Sequence, residues 1–484
     1  MVLPLRAQQL DDWVDPADAF VALFGDPAAA GGAPAVWLDS GPDAHEGRSV
    51  IGTGRRVLSA SAARGTVSVD GVERSGEILD ALRDDLAGRE APSIAGAPLG
   101  WVGWLGYESG ARPLGVPYRV GDGADSALLL VDRAVVFDHE SRRVEIIASA
   151  AAASDDDATD ADDGRSWSDR VRATLAGCSG RAQEYAAAHP VPPATATWRH
   201  SDDEYLGLIG ACLDAITAGD AYQLCLTNLA TARTAADPLA VHLRLRAASP
   251  AHHGGFLRIA GETLVSSSPE QFLHVTPDGR VRTKPIKGTR PRGATLAADL
   301  ALRAELEASE KEQAENVMIV DLMRNDLARV CEVGSVEVRH LLSVESYAQV
   351  HQLVSTVEGR LRDGLGAVDA IAAAFPAGSM TGAPKLSAMR ILSRLEDGPR
   401  GVYAGCFGIV GLDGSADLAM VIRSLRFRDG EVRIGAGGGI TALSVPVEEL
   451  DEVRVKAAAL LRAAGLGVAA DSEPAGNGLD ASDV

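Results

Sequence analysis

Two stretches of this 484-residue chain each carry glutamates three positions apart, Glu312 with Glu315 and Glu449 with Glu452. That spacing puts both carboxylates of a pair on one face of a helix. Either pair alone reads as a solvated acidic face. Four carboxylates turned toward one site would repel each other and any anionic substrate. A hard cation such as Mg²⁺, which takes oxygen ligands and keeps several waters, resolves that conflict. Groups suited to an anion lie close by in the sequence. Arg423 interrupts an apolar run, where a guanidinium is costly unless it meets an anion. Lys456 lies about one turn beyond Glu452. The glycine-rich run 435–439 lets backbone N–H groups approach a ligand. Arg423, Lys456 and this run could hold the carboxylates of a small anionic substrate.

Lys287 stands in the most constrained stretch, Lys284-Pro285-Ile286-Lys287-Gly288-Thr289-Arg290-Pro291-Arg292-Gly293. Prolines fix φ and glycines permit sharp turns, so this reads as an ordered basic loop that aims Ile286 and Lys287. Two further stretches are stiffened in the same way. Residues 266–270 form a turn that presents the carboxylate of Glu270. Residues 375–385, which include Thr381, lead into a helix near Pro384, whose free N–H groups suit an anion.

The elements that position these residues follow from periodicity and turn chemistry. Short strands and turns dominate 1–150, with strands at 35–40, from 47, across 127–138 and at 144–148, and a helix over 76–86. The glycine-laced, aromatic run 99–108 suggests closely approaching strands. Ser201 to Glu204 is a capping-box pattern opening a helix that ends near Gly219. An Asp-Gly turn at 278–279 closes a hairpin that delivers the Lys287 stretch. One long helix is expected over 296–330 and a last helix over 446–464. Strands are expected at 401–408 and 418–427. The expected units are an N-terminal region 1–180, a linker 181–200, a catalytic unit 201–466 and a disordered tail 467–484. Within the first, the aspartate-rich run 151–165 reads as a surface excursion.

Composition narrows the function. A net charge of −21 argues against nucleic acid as the main partner, which would need a basic face. Five cysteines, at 178, 212, 225, 331 and 406, show no paired spacing, which fits a reducing compartment. There is no apolar leader and no run long enough to span a membrane, so a cytoplasmic protein is expected.

With its motifs in this order, the chain resembles the chorismate-utilising enzymes, which include anthranilate, aminodeoxychorismate, isochorismate and salicylate synthases. The matching stretches are 285–293, 312–329 (EQAENVMIVDLMRNDLAR), 375–385, 403–408 and 435–456. WLDS at 37–40 and GWVGWLGYE at 100–108 extend the likeness to the N-terminal region of the aminating members. The resemblance implies an α+β fold of two large antiparallel sheets packed as a sandwich, with helices outside and the active site between them. It implies that Glu312, Glu315, Glu449 and Glu452 hold Mg²⁺, which bridges to the ring carboxylate of chorismate. Tyr403 and Arg423 match residues that hold the enolpyruvyl carboxylate. Gly439 and Lys456 match ligands near the ring carboxylate and metal. Glu270 matches the group that protonates the departing C4 hydroxyl, and Thr381 lies in a substrate-proximal loop.

Lys287 points to a branch of that family. Anthranilate synthases usually carry PIAGT at this place, and aminodeoxychorismate synthases carry PIKGT, as here. A lysine amine can attack C2 and expel the C4 hydroxyl, after which ammonia attacks C4 and expels the lysine. The nucleophile must be neutral, so burial beside Mg²⁺ and arginines is expected to lower its pKa. Gln352 stands where anthranilate and isochorismate-type enzymes commonly have histidine, which leaves the proton carrier open. Gln223 stands where isochorismate and salicylate synthases place a water-activating lysine. The expected activity is amination of chorismate at C4, as by an aminodeoxychorismate synthase component I, toward 4-aminobenzoate and folate; an anthranilate synthase component I is the alternative. No cysteine has the Gly-x-Cys-x-Gly setting of a glutaminase nucleophile, so a separate glutamine amidotransferase subunit is the expected ammonia source.

Overall fold

The computed structural model describes residues 5–26, 33–89, 91–94, 96–121, 123–149, 166–347 and 350–469. The aspartate-rich run 151–165 and residues 470–484 of the expected tail 467–484 lie outside the described residues, while the start of that tail belongs to the strand Leu466–Val468. The chain forms the expected α+β sandwich. A 13-stranded sheet runs from Leu5–Gln9 at one edge to Leu466–Val468 at the other, and a 12-stranded sheet faces it. The strand pairs are antiparallel, except that Leu466–Val468 lies parallel to Ala194–Trp198.

Three apolar clusters define the layers. Val36, Leu257 and Leu264 of the larger sheet meet Val102, Trp104 and Phe407 of the smaller sheet in a core without helices. The outer face of the larger sheet is covered by helices that include Asp202–Thr217, Pro238–Ala248 and Pro446–Ala463. Helices Ile78–Leu86, Glu310–Ala328 and Ala367–Ala374 cover the outer face of the smaller sheet. The glycine-laced run becomes the central strand Gly100–Leu105, where a Cβ on Gly103 would fall on the backbone of Ala127 and Leu128. Close strand approach therefore requires glycine there.

In each sheet a block of strands from the N-terminal region joins a block of later strands at one place. Ala35–Asp39 pairs with His253–Ile259, and Gly100–Leu105 pairs with Cys406–Gly411. The stretch expected as a linker holds a helix, Arg181–Ala188, and the strand Ala194–Trp198.

Several apolar runs that read as single elements are divided. Ser126–Val131 lies in the smaller sheet and Arg133–Asp138 in the larger, with the crossing at Asp132. The run 418–427 is likewise split into Ala416–Met420 and Ser424–Arg428, one in each sheet. Arg423 sits at that crossing with φ 51°, a left-handed conformation that side chains other than glycine rarely adopt. The expected long helix is two, Leu296–Ala308 and Glu310–Ala328. Ser309 breaks it, because its hydroxyl caps the second helix by accepting from the Glu312 N–H. The capping box at Ser201 and Glu204 forms as its spacing predicts.

The basic loop is a strand. Ile286–Pro291 pairs with Val350–Arg360 and shifts register between Lys287 and Thr289. Gly288, at φ 80°, makes this a bulge that re-aims the side chains on either side of it. The glycine run also differs from expectation. It lies inside strand Glu431–Thr441, one edge of which pairs fully with Gln223–Arg233. On the other edge, pairing with Ser424–Arg428 stops at Ile434, so the glycines beyond it have no strand partner there.

Candidate active site

The site forms where the chain passes between the sheets. Pro269 and Glu270 join Glu262–Ser268 of the larger sheet to Gln271–Val275 of the smaller, and the segment through Val421 and Arg423 returns. The two crossings are stitched together, since Met420 N–H donates to the Glu270 carbonyl and Ser267 N–H to the Arg423 carbonyl, each at 3.0 Å. The turn carrying Tyr403 joins them through Ala404 N–H to the Val421 carbonyl at 2.9 Å. Three expected site residues, the catalytic Glu270 and the substrate-binding Arg423 and Tyr403, therefore sit on adjoining backbone segments.

Lys287 projects from its bulged strand to within 3.5 Å of Glu315 Oε2, and both side chains are largely buried. Its pKa is raised, not lowered as expected. Burial works to lower it, but Glu315, with Cys225, Glu270 and Glu452, outweighs burial. Glu270 is buried, and burial pushes its carboxyl up to about 7 against the opposing pull of Lys287, a hydrogen bond from Ser379, and Lys456. Burial raises the Glu315 carboxyl as well.

The other expected residues are placed around this pair. A Cβ on Gly435 would overlap the Tyr403 ring, so glycine is what lets the ring pack flat on the strand. A Cβ on Gly439 would fall on the Gln223 amide and beside Glu315 Oε2. Lys456 Nζ donates to the Gly437 carbonyl at 2.8 Å and pairs with Glu452 at 2.5 Å. Arg423 reaches the Lys456 carbonyl at 3.3 Å. Thr381 is buried, but its hydroxyl turns back to the Ala377 and Gly378 carbonyls at 3.2 and 3.3 Å, away from a direct role. Gln352 is buried and stands opposite Thr289, one place from Lys287.

Gln223 is fully buried, yet among the described residues neither Oε1 nor Nε2 has a hydrogen-bond partner. A buried amide costs free energy unless something hydrogen-bonds it, and this one lies beside Gly439 and Glu315.

The four acidic residues are each met by a cation. Glu312 lies 3.7 Å from Arg290, Glu315 3.5 Å from Lys287, Glu449 2.8 Å from Lys311 and Glu452 2.5 Å from Lys456. Among the described residues, no three metal-binding side chains of His, Cys, Asp or Glu gather within reach of one ion. The donor set still suits Mg²⁺. It is all carboxylate oxygen, it comes from two helices joined through Lys311, and Glu449 Oε2 is buried without a hydrogen-bond partner.

Behind the site lies a buried hub that the motifs do not reveal. The Arg400 guanidinium is bound to both oxygens of Glu396 and donates to the carbonyls of Met380 and Cys225. It also lies over the Tyr107 ring at 4.4 Å. Glu396 in turn accepts from the Thr227 N–H and hydroxyl, each at 2.9 Å. Glu108, from the N-terminal region, accepts from the N–H groups of Arg400 and Gly401 at 2.8 and 2.9 Å. Burial pushes the Glu108 carboxyl up to about 8. One guanidinium thus ties the strand of Gln223, the loop of Thr381 and the turn of Tyr403 together from behind. A charged residue after Asp-Gly-Pro reads as an exposed turn, so only its three-dimensional setting marks Arg400. Lys311 is likewise hidden, because it precedes Glu312 with no spacing of its own.

The model of the chorismate binding enzyme family matches residues 33–462, and the chain belongs to that family. It is 45% identical over 440 residues to an aminodeoxychorismate synthase of Streptomyces griseus, covering 88% of this chain and 60% of that protein. The chain thus spans about three fifths of the length of that curated relative. It is 39% identical over 478 residues to anthranilate synthase component 1 of Streptomyces coelicolor, covering 96% of this chain and 89% of the other. The crystal structure of anthranilate synthase component I from Streptococcus pneumoniae superposes with a TM-score of 0.72 at 27% identity, covering 85% of this chain and 92% of that one. Among the described residues, no helix is long and apolar enough to cross a membrane.

Replacing Arg400 by alanine leaves Glu396 as an uncompensated buried charge. Arg400→Ala is expected to cost about 3–5 kcal/mol of folding stability. Denaturant unfolding of the variant and wild type checks this, and a loss under about 1 kcal/mol would show the hub to be dispensable.

Proposed function

We propose that this chain acts as an aminodeoxychorismate synthase component I, converting chorismate and ammonia to 4-amino-4-deoxychorismate. The observation that carries this reading is Lys287, buried in the same site as Glu315 and Glu270 on a strand whose bulge fixes its aim. In this reading the Lys287 amine bonds to C2 while the C4–O bond breaks, and Glu270 gives its proton to the departing hydroxyl, which leaves as water. Ammonia then bonds to C4 and the Nζ–C2 bond breaks, so C4 keeps its configuration. Tyr403, Arg423 and Lys456 hold the substrate carboxylates, and the bare Gln223 amide hydrogen-bonds a polar group of substrate or ammonia.

Glu312, Glu315, Glu449 and Glu452 would hold Mg²⁺. When bound, it would draw Glu315 off Lys287, so that burial could bring the amine toward its neutral form, and would neutralise a substrate carboxylate. All five cysteines are buried, so ammonia is expected from a glutamine amidotransferase unit, in the same or a separate chain.

Incubating the chain with chorismate, Mg²⁺ and ammonium tests this by mass and chromatographic identification of the product. 4-Amino-4-deoxychorismate is expected from wild type, with Lys287→Ala redirected toward amination at C2. Anthranilate as the wild-type product would place the chain with the C2-aminating synthases.

Glu270 gives the reading a pH dependence. A proton donor works only while protonated, and burial keeps Glu270 protonated up to about pH 7, well above the ordinary carboxylate range. The kcat/KM is therefore expected to fall as pH rises through about 7, and Glu270→Gln to lower it by about 10²–10⁴-fold and abolish that limb. A Glu270→Gln profile with the wild-type limb intact would assign the titration to another group.

A further inference from the structure

The reading above leaves Lys311 without a task. Its Nζ lies 2.8 Å from Glu449 Oε1. Of the four cation–carboxylate pairs in the site, this one alone joins the two acidic helices. Lys287 and Arg290 reach Glu315 and Glu312 from a strand, and Lys456 pairs with Glu452 inside one helix. Lys311 also lies in the field of Glu315 and Glu452, so one ammonium serves three of the four acids.

Glu449 is 1% exposed, and Lys311 engages only one of its oxygens. Oε2 is bare, buried and directed at the glycine strand beside Gly438. Desolvating a carboxylate oxygen without a hydrogen bond is unfavourable, and a second cation would remove that penalty. Among the described residues the acids do not gather as a metal site does, and a cation stands against each of the four.

We infer that Lys311 competes with the divalent cation for Glu449, so that this lysine holds the two acidic helices together in the metal-free protein and sets the affinity for metal. The inference rests on the Mg²⁺ reading. Oε2 offers the first point of contact, and the ammonium then leaves Oε1 and the helices close on the ion. The exchange gives the chain a reason to carry a lysine beside its ligands, where a positive charge otherwise only weakens metal binding.

The test is titration of Mg²⁺, followed by calorimetry, into metal-stripped wild type, Lys311→Met and Lys311→Arg, with thermal melts in EDTA and in Mg²⁺. Lys311→Met is expected to bind Mg²⁺ at least about tenfold more tightly, because one positive charge has left the neighbourhood of a dication. It should also melt lower in EDTA and gain more than wild type from added Mg²⁺. Lys311→Arg should stay near wild type. If Lys311→Met fails to fold, Lys311→Gln, which keeps a donor for Glu449 without the charge, carries the same expectation. Measurable Mg²⁺ binding to wild type with equal or weaker binding to the neutral variants would make Lys311 a structural strut and overturn the inference. No uptake by wild type or any variant would overturn the Mg²⁺ reading, and the inference with it.

Discussion

Bringing four carboxylates to one site, with Glu315 and Glu449 buried, is the constraint around which this molecule is arranged. Each is met by a cation, and those cations come from three elements: the bulged strand supplies Lys287 and Arg290, and the two acidic helices supply Lys311 and Lys456. An isolated carboxylate in such surroundings would take up a proton or unfold the segment that carries it. Four acids with four bases are close to neutral, which is what lets Glu315 and Glu449 be buried among them. The same balance keeps the site polar enough to receive a dication and an anionic substrate.

The sandwich makes that pairing possible by sending the chain back and forth between its sheets. Each crossing leaves a short non-strand segment at the seam, and two of the expected site residues sit on such segments. Glu270 and Arg423 lie on two crossings that hydrogen-bond each other, and Arg423 holds a left-handed backbone conformation to do so. The seam is held from behind by Arg400, whose partners belong to both halves of the sequence. The N-terminal region is therefore part of the site's support, although the expected ligands come from after residue 201.

Much of this is legible in the residues themselves. The three-residue spacing of Glu312 with Glu315 and of Glu449 with Glu452 is enough to put each pair on one helical face. Gly103 and the capping box at Ser201 also do what their types require. The misreadings have physical causes. Apolar runs at 127–138 and 418–427 look continuous, because a strand that changes sheet is buried on both sides of the change and carries no turn signal. The Lys287 stretch looks like a loop because its prolines and glycines are equally the marks of an edge strand with a bulge. The Lys287 pKa goes the other way because the acids that would bind a metal are, without one, the lysine's own counter-ions. Arg400 and Lys311 carry no periodicity, and only contacts across the fold give them a role.

The central claim is that Lys287 makes a covalent bond to the substrate. Intact-protein mass spectrometry of the chain with chorismate and Mg²⁺, with ammonia withheld, addresses it directly. The account predicts a species heavier by chorismate less one water, with the added mass on the peptide that contains Lys287 and no such species in Lys287→Ala. No adduct on the wild-type chain, together with undiminished amination at C4 by the alanine variant, would contradict it.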